Sequence, residues 1–119
     1  MPETVHIDME RGVILINSSD RVGEDDLRRS LGSVLQLAHR HGINKVMVDA
    51  TGQRSLPSIF ALYDFATDLS TQARNLRHAI VISEQSPEDI RFVEIAAHNR
   101  GLIIQIFSSR DDALSWLNL

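Results

Sequence analysis

At 119 residues the chain is long enough to bury the core of one domain, 1–119, without metal or disulfide staples, and no second domain is expected. It has no cysteine, which excludes a disulfide framework, a thiolate metal site and a cysteine nucleophile. A formal charge of −4, with scattered basic residues and Lys45 the only lysine, argues against nucleic-acid binding, which needs clustered cations to displace counterions.

The longest apolar runs have strand length, far below the roughly twenty residues of a membrane span, so no membrane insertion is expected. Met1-Pro-Glu-Thr-Val5 lacks the basic start and apolar stretch of a secretory signal. A cytoplasmic protein is the expectation.

Val5-His-Ile-Asp-Met9 and Val13-Ile-Leu-Ile-Asn17 are β-rich runs separated by Glu10-Arg11-Gly12, a short turn, and are expected to pair as an antiparallel hairpin. After the polar segment Ser18 to Gly23, Leu27, Leu31, Val34, Leu35 and Ala38 fall on one helical stripe, and Gly42 supplies the stop. Lys45 to Asp49 is the third strand. It ends on a carboxylate, followed by Thr51 and Gly52, the pattern of the open carboxyl end of a sheet.

Gln53 to Pro57 reads as a loop, with Pro57 in the first turn of a second helix that reaches about Ser70. His78 to Ser83 is a buried-type strand. Ser86-Pro87-Glu88-Asp89 then offers a serine cap with proline at the first helical position, and that helix stops at Asn99-Arg100-Gly101. Leu102 to Phe107 is the last strand, Ser109-Arg-Asp-Asp112 repeats the capping pattern, and Ala113 to Leu117 is a short closing helix.

A hairpin followed by alternating helices and strands predicts an α/β fold, a five-stranded mixed and mostly parallel sheet with four helices. Val13, Leu15, Val46, Val48, Ile80, Ile82, Ile104 and Ile106 are the expected core of that sheet.

This order of elements, with Asp49-Ala-Thr-Gly52 ending the third strand, resembles the STAS domain of the SpoIIAA-like anti-sigma-factor antagonists and related small bacterial proteins described as STAS or CRAL-TRIO-like. The ending Asn99-Arg-Gly-Leu-Ile-Ile-Gln-Ile-Phe107, followed by Asp112-Ala-Leu-Ser-Trp-Leu117, looks like that of the small-protein subgroup. The resemblance covers nearly the whole chain on short motifs. It implies a phosphoacceptor in the aspartate-x-Ser/Thr-glycine segment, which a partner kinase modifies to switch binding, and Thr51 is the matching residue. In the family the next helix begins almost directly after the glycine, whereas here Gln53 to Pro57 intervenes, so Ser55 or Ser58 are alternative occupants of that place.

The carboxyl ends of the strands bring Asn17, Ser18, Asp49, Thr51, Ser83, Glu84, Ser108 and Ser109 to one edge, where helix N-termini favour an anion or small ligand. Caps and turns need the same residue types, and that bland reading carries more weight. His39 and His41 are two apart and project to different sides of a helix end, and His6, His78 and His98 are isolated, so no metal site is predicted. No G-x-S-x-G elbow, Walker-type loop or dinucleotide fingerprint is present, and no cofactor is expected.

On the second helix Ile59, Leu62, Tyr63, Ala66 and Leu69 form the core stripe, while Phe60 falls among Asp64, Thr67, Asp68 and Thr71. Phe60 is expected to be exposed in the monomer and covered in a complex. The expected function is therefore a non-catalytic, STAS-like regulatory domain. It meets a protein partner or forms a homodimer through Asp49, Thr51, Gly52, Arg54, Ser55, Ser58, Phe60 and Asp64. The alternative, from the CRAL-TRIO likeness, is a carrier of a small apolar or lipid-like ligand, which needs an apolar cavity. An enzyme using the polar strand edge comes third.

Overall fold

The computed structural model describes residues 2–118, the side chains of Ile59, Phe60 and Tyr63 excepted. The expectations for Phe60, Ile59 and Tyr63 therefore lie outside the described side chains. The elements are β1 (Glu3–Asp8), β2 (Val13–Arg21), α1 (Glu24–His41), β3 (Lys45–Ser55), α2 (Ile59–Gln72), β4 (Arg77–Val81), α3 (Asp89–Asn99), β5 (Ile103–Phe107) and α4 (Arg110–Trp116). The strands lie side by side in chain order. β1 and β2 are antiparallel and the other three neighbouring pairs are parallel, so the expected mixed sheet with four helices is what forms.

Because each crossover steps one strand in the same direction, right-handed connections place α1, α2 and α3 on one face. Leu31 and Val34 of α1, Leu69 of α2 with the Ala73 that caps it, and Ile90 and Ala97 of α3 pack there against Ile14, Val46, Ile80 and Ile104. On the opposite face, Ala113 of α4 and the Leu117 that caps it lie against Val13, Met47, Ala79 and Val81. The strand residues of these two sets alternate, as the two-residue pleat requires. Of the eight expected core side chains, Val13, Val46, Ile80 and Ile104 are buried, while Leu15, Val48, Ile82 and Ile106 are half-buried and pack on the core margins.

The hairpin turn closes with Gly12 N–H donating to the Asp8 carbonyl at 2.9 Å, and Gly12 adopts a φ of 70°. Gly42 ends α1 at a φ of 66°, as its position predicted. Two helix starts differ from expectation. Ser58, not a turn containing Pro57, caps α2 by accepting from Ala61 N–H at 3.2 Å. α3 begins at Asp89 without Ser86 as its cap, because the Ser86 hydroxyl is engaged with Ala50 of β3 and with Ser83 in the loop after β4.

The largest departure is at β3. It does not stop at Asp49 but continues through Ser55, leaving only Leu56, Pro57 and Ser58 between strand and helix. β2 is longer to match, running to Arg21, and the two strands stay paired through Ser19–Gly52, Asp20–Gln53 and Arg21–Ser55. Polar residues hold these extensions together by pairing with each other, a feature no single-strand propensity reveals.

Candidate functional site

Asp49-Ala-Thr-Gly52 is a bulge within a strand, not a turn after one. From Asn17–Asp49 to Ser19–Gly52, β3 advances three residues while β2 advances two, so Ala50 and Thr51 together stand opposite Ser18. A bulge of this kind bends the strand and re-aims a side chain. Here it folds Thr51 back over Asp49. The Thr51 hydroxyl donates to Asp49 Oδ1 at 2.6 Å and the Thr51 N–H donates to the same oxygen at 3.1 Å.

A side chain at Gly52 would be crowded. A Cβ placed there would stand 3.2 Å from the Ser19 Cβ and 3.3 Å from the Ser18 carbonyl oxygen.

Past Asp49–Val81 the regular pairing between β3 and β4 ends. Two serines take over the abandoned carbonyls: Ser83 Oγ donates to the Thr51 carbonyl at 3.0 Å, and Ser86 Oγ donates to that of Ala50 at 3.1 Å. Ser86 Oγ also accepts from Ser83 N–H at 2.9 Å, so the loop after β4 is tied to the bulge through one hydroxyl.

The second Asp49 oxygen accepts from Arg110 at 2.9 Å, from the first turn of α4. Arg54 reaches back along its own strand to the carbonyls of Thr51 and Gln53, at 3.3 and 3.0 Å. Partial burial alone raises the Asp49 carboxyl, but the Thr51 hydroxyl and N–H together with Arg110 outweigh it and hold the group below its ordinary value. Asp49 is thus an ionised anchor with both oxygens engaged, and it lacks the near-neutral pKa that suits a general base at Thr51.

The structure thus unites Asp49, Thr51, Gly52 and Arg54 at the end of β3 and adds Arg110, Ser83 and Ser86. Ser55 is half-buried, and its carbonyl accepts from Val22 N–H at 3.1 Å. Ser58 is the exposed cap of α2. Asp64 does not join them: it is exposed on α2, where its charge acts on Arg28. Ser18 is turned into the core at 3% exposure, Ser109 accepts from Asp112 N–H as the cap of α4, and Asn17, Glu84 and Ser108 are exposed.

Arg110 and Ser86 were missed as site residues. The signal was that Arg110 follows a serine cap at the carboxyl end of β5, on the same edge as Asp49.

Among the described residues no group of three or more histidines and carboxylates is arranged to hold a metal ion, and no helix is long and apolar enough to cross a membrane. Between the sheet and the helices is a mostly apolar cavity of about 100 Å³. Ligand pockets start near ~300 Å³, so this space does not suit a lipid chain.

No family model matches the chain, and no curated protein matches it. It is similar to solved structures. An uncharacterised protein of the DUF3478 family from Shewanella loihica PV-4, with a SpoIIAA-like fold, is 18% identical with a TM-score of 0.61, over 97% of this chain and 91% of that one. The anti-sigma factor antagonist SpoIIAA in its unphosphorylated form gives 6% identity and a TM-score of 0.65, over 98% and 97% of the two chains. The Bacillus cell fate determinant SpoIIAA in its phosphorylated form gives 7% and 0.56, over 97% and 98%. Such identities speak for architecture alone, and on that count the five strands in chain order, the single antiparallel pair and the four helices make this a SpoIIAA-like fold.

Proposed function

We propose that this is a non-catalytic regulatory domain that meets a partner protein through the end of β3 and the start of α2, with Thr51 as a phosphoacceptor. One observation carries this reading: the bulge presents a half-exposed threonine hydroxyl, held by Asp49, at the open end of the sheet with two arginines beside it. The same fold in an anti-sigma factor antagonist known in unphosphorylated and phosphorylated forms supports it.

A phosphate on Thr51 adds about −1.5 to −2 charges next to Asp49 and removes the hydroxyl proton that Asp49 accepts. It also competes with Asp49 for Arg110. Both changes act on the surface at once, without any change of fold.

The contact is tested by placing a photo-crosslinking residue at exposed Arg54 and, as a control, at exposed Arg40 at the end of α1, in the protein's own cells. The expected result is a discrete crosslinked partner, or a crosslinked second copy, from position 54 and none from 40. Identical crosslinking from both positions, or none from either, contradicts the proposal.

A further inference from the structure

The two edges of the sheet are treated differently. Glu94 and His98 of α3 bond the open side of β5, whereas β1 is paired only with β2. The ladder fixes which way the β1 backbone points. Ser19 N–H donates to the Pro2 carbonyl at 2.8 Å, one step before the Glu3–Ser18 pair, and Gly12 N–H donates to that of Asp8 at 2.9 Å. Bonded and unbonded pairs alternate in an antiparallel ladder, so Thr4 and His6 bond to β2 while Glu3, Val5 and Ile7 turn their N–H and C=O groups outward.

Among the described residues none of those outward groups has a hydrogen-bond partner. The strand carries no lysine, no internal proline and no bulge, the devices that blunt an edge. Under α1 the Ser30 hydroxyl donates to Glu3 Oε1 at 2.7 Å, so the one charge on the inner face of the strand is already engaged.

We propose that β1 is an interface with a second copy of this chain, the two β1 strands pairing antiparallel about a twofold axis at Val5 and joining the sheets into one. The outward groups set the register. With Val5 opposite Val5 of the copy, Glu3 stands opposite Ile7, and every outward group of both strands meets a partner. Sliding by two residues puts Ile7 opposite Met1, or Glu3 opposite Met9, outside the strand. Charge agrees with this pairing. Asp8 stands opposite Pro2 and no like charges meet, whereas parallel pairing would set Glu3 against Glu3 and Asp8 against Asp8. A strand that complements itself is what a twofold interface requires. This goes beyond the partner contact at the end of β3, from which β2 separates it, and the failure of either leaves the other standing.

Thr4 and His6 are exposed on the outer face, and in this register each lies opposite the other across the interface, with Cα atoms about 4.5 Å apart. The chain has no cysteine, so a disulfide can read the register. Thr4→Cys and His6→Cys proteins are oxidised separately and as an equal mixture. The mixture is expected to form a covalent dimer at least about tenfold faster than either variant alone, because a disulfide needs Cα atoms within about 7 Å. Sedimentation of the wild type should show a monomer–dimer equilibrium. Val5→Pro removes an outward N–H from each copy and no bond to β2, and should weaken the dimer at least about tenfold. A wild type that stays monomeric up to millimolar concentration, equal disulfide rates from the mixture and the single variants, or a Val5→Pro dimer as tight as wild type would overturn the proposal. Should Val5→Pro fail to fold, the wild-type equilibrium and the disulfide rates decide alone.

Discussion

His78 is the residue whose setting has the sharpest consequence for stability. It lies on β4 between Val46 and Ile104, 6% exposed, and burial drives its pKa down to about 4 against weaker support from the backbone carbonyls of Ile103 and Leu76. Its folded pKa is below its unfolded one, so between about 6.5 and 4 the unfolded chain binds the extra proton and stability falls as the pH falls. The loss is about 3 kcal/mol, complete near the lower pKa and absent above the upper one. Glu3 acts the other way, since burial raises its carboxyl and its neutral form suits the fold, so its contribution shrinks as the pH rises past about 4.5. Denaturant midpoints from pH 7 to 4 should fall steeply for wild type and much less for His78→Leu. Parallel curves for the two proteins would show that His78 titrates normally.

At the same scale, the site was only partly legible. Asp49, Thr51 and Gly52 stand out in sequence because a carboxylate, a hydroxyl and a glycine end an apolar strand. Arg110 lies 61 residues from Asp49 and Ser18 lies 35 from Gln53, so their pairings exist only once the sheet forms. Gln53 was placed in a loop because an amide between glycine and arginine has no reason to be buried until a buried serine meets it.

Among the elements, β5 shows how an edge is managed. Ile82 N–H donates to the Phe107 carbonyl, so alternation turns the Ile104 carbonyl and Ile106 N–H to the open side. α3 covers both. Glu94 accepts from Ile106 N–H at 2.8 Å, and His98, one turn further on, bonds through Nε2 to the Ile104 carbonyl. His98 thus holds a strand edge rather than the end of its own helix. An uncovered edge is a template for another strand. Glu94→Ala should destabilise the protein by about 1–2 kcal/mol and promote concentration-dependent association in sedimentation, while Glu94→Gln keeps most of the contact. An alanine variant as stable and as monodisperse as wild type would remove this role.

Element type was readable almost throughout, because strand and helix periods differ and Gly42 and Ser109 mark real boundaries. The extension of β3 from Ala50 to Ser55 was not. Gly52, Gln53 and Arg54 carry weak strand preference, and they are held by Ser19, Asp20 and Arg21, which are equally poor strand formers on their own. Ser86 likewise looked like a cap until the bulge supplied better partners for its hydroxyl.

For the whole molecule, the two faces of the sheet are unequal, with three helices on one and the short α4 on the other. The Arg110–Asp49 pair links α4 to the bulge across the carboxyl edge, at the point where Thr51 is presented. Because this ion pair is partly exposed, it contributes only about 0–1 kcal/mol to stability, so its rupture by the proposed phosphorylation of Thr51 would change the surface while the fold persists. That separation of surface from core is what a regulatory switch needs. The most direct test of it takes the partner recovered by crosslinking and measures its affinity for the unphosphorylated protein, the protein phosphorylated on Thr51, and Thr51→Ala. The account predicts at least about tenfold weaker binding of the phosphorylated form, with Thr51→Ala close to wild type and all three sharing one circular-dichroism spectrum. Equal affinity of all three forms would contradict it.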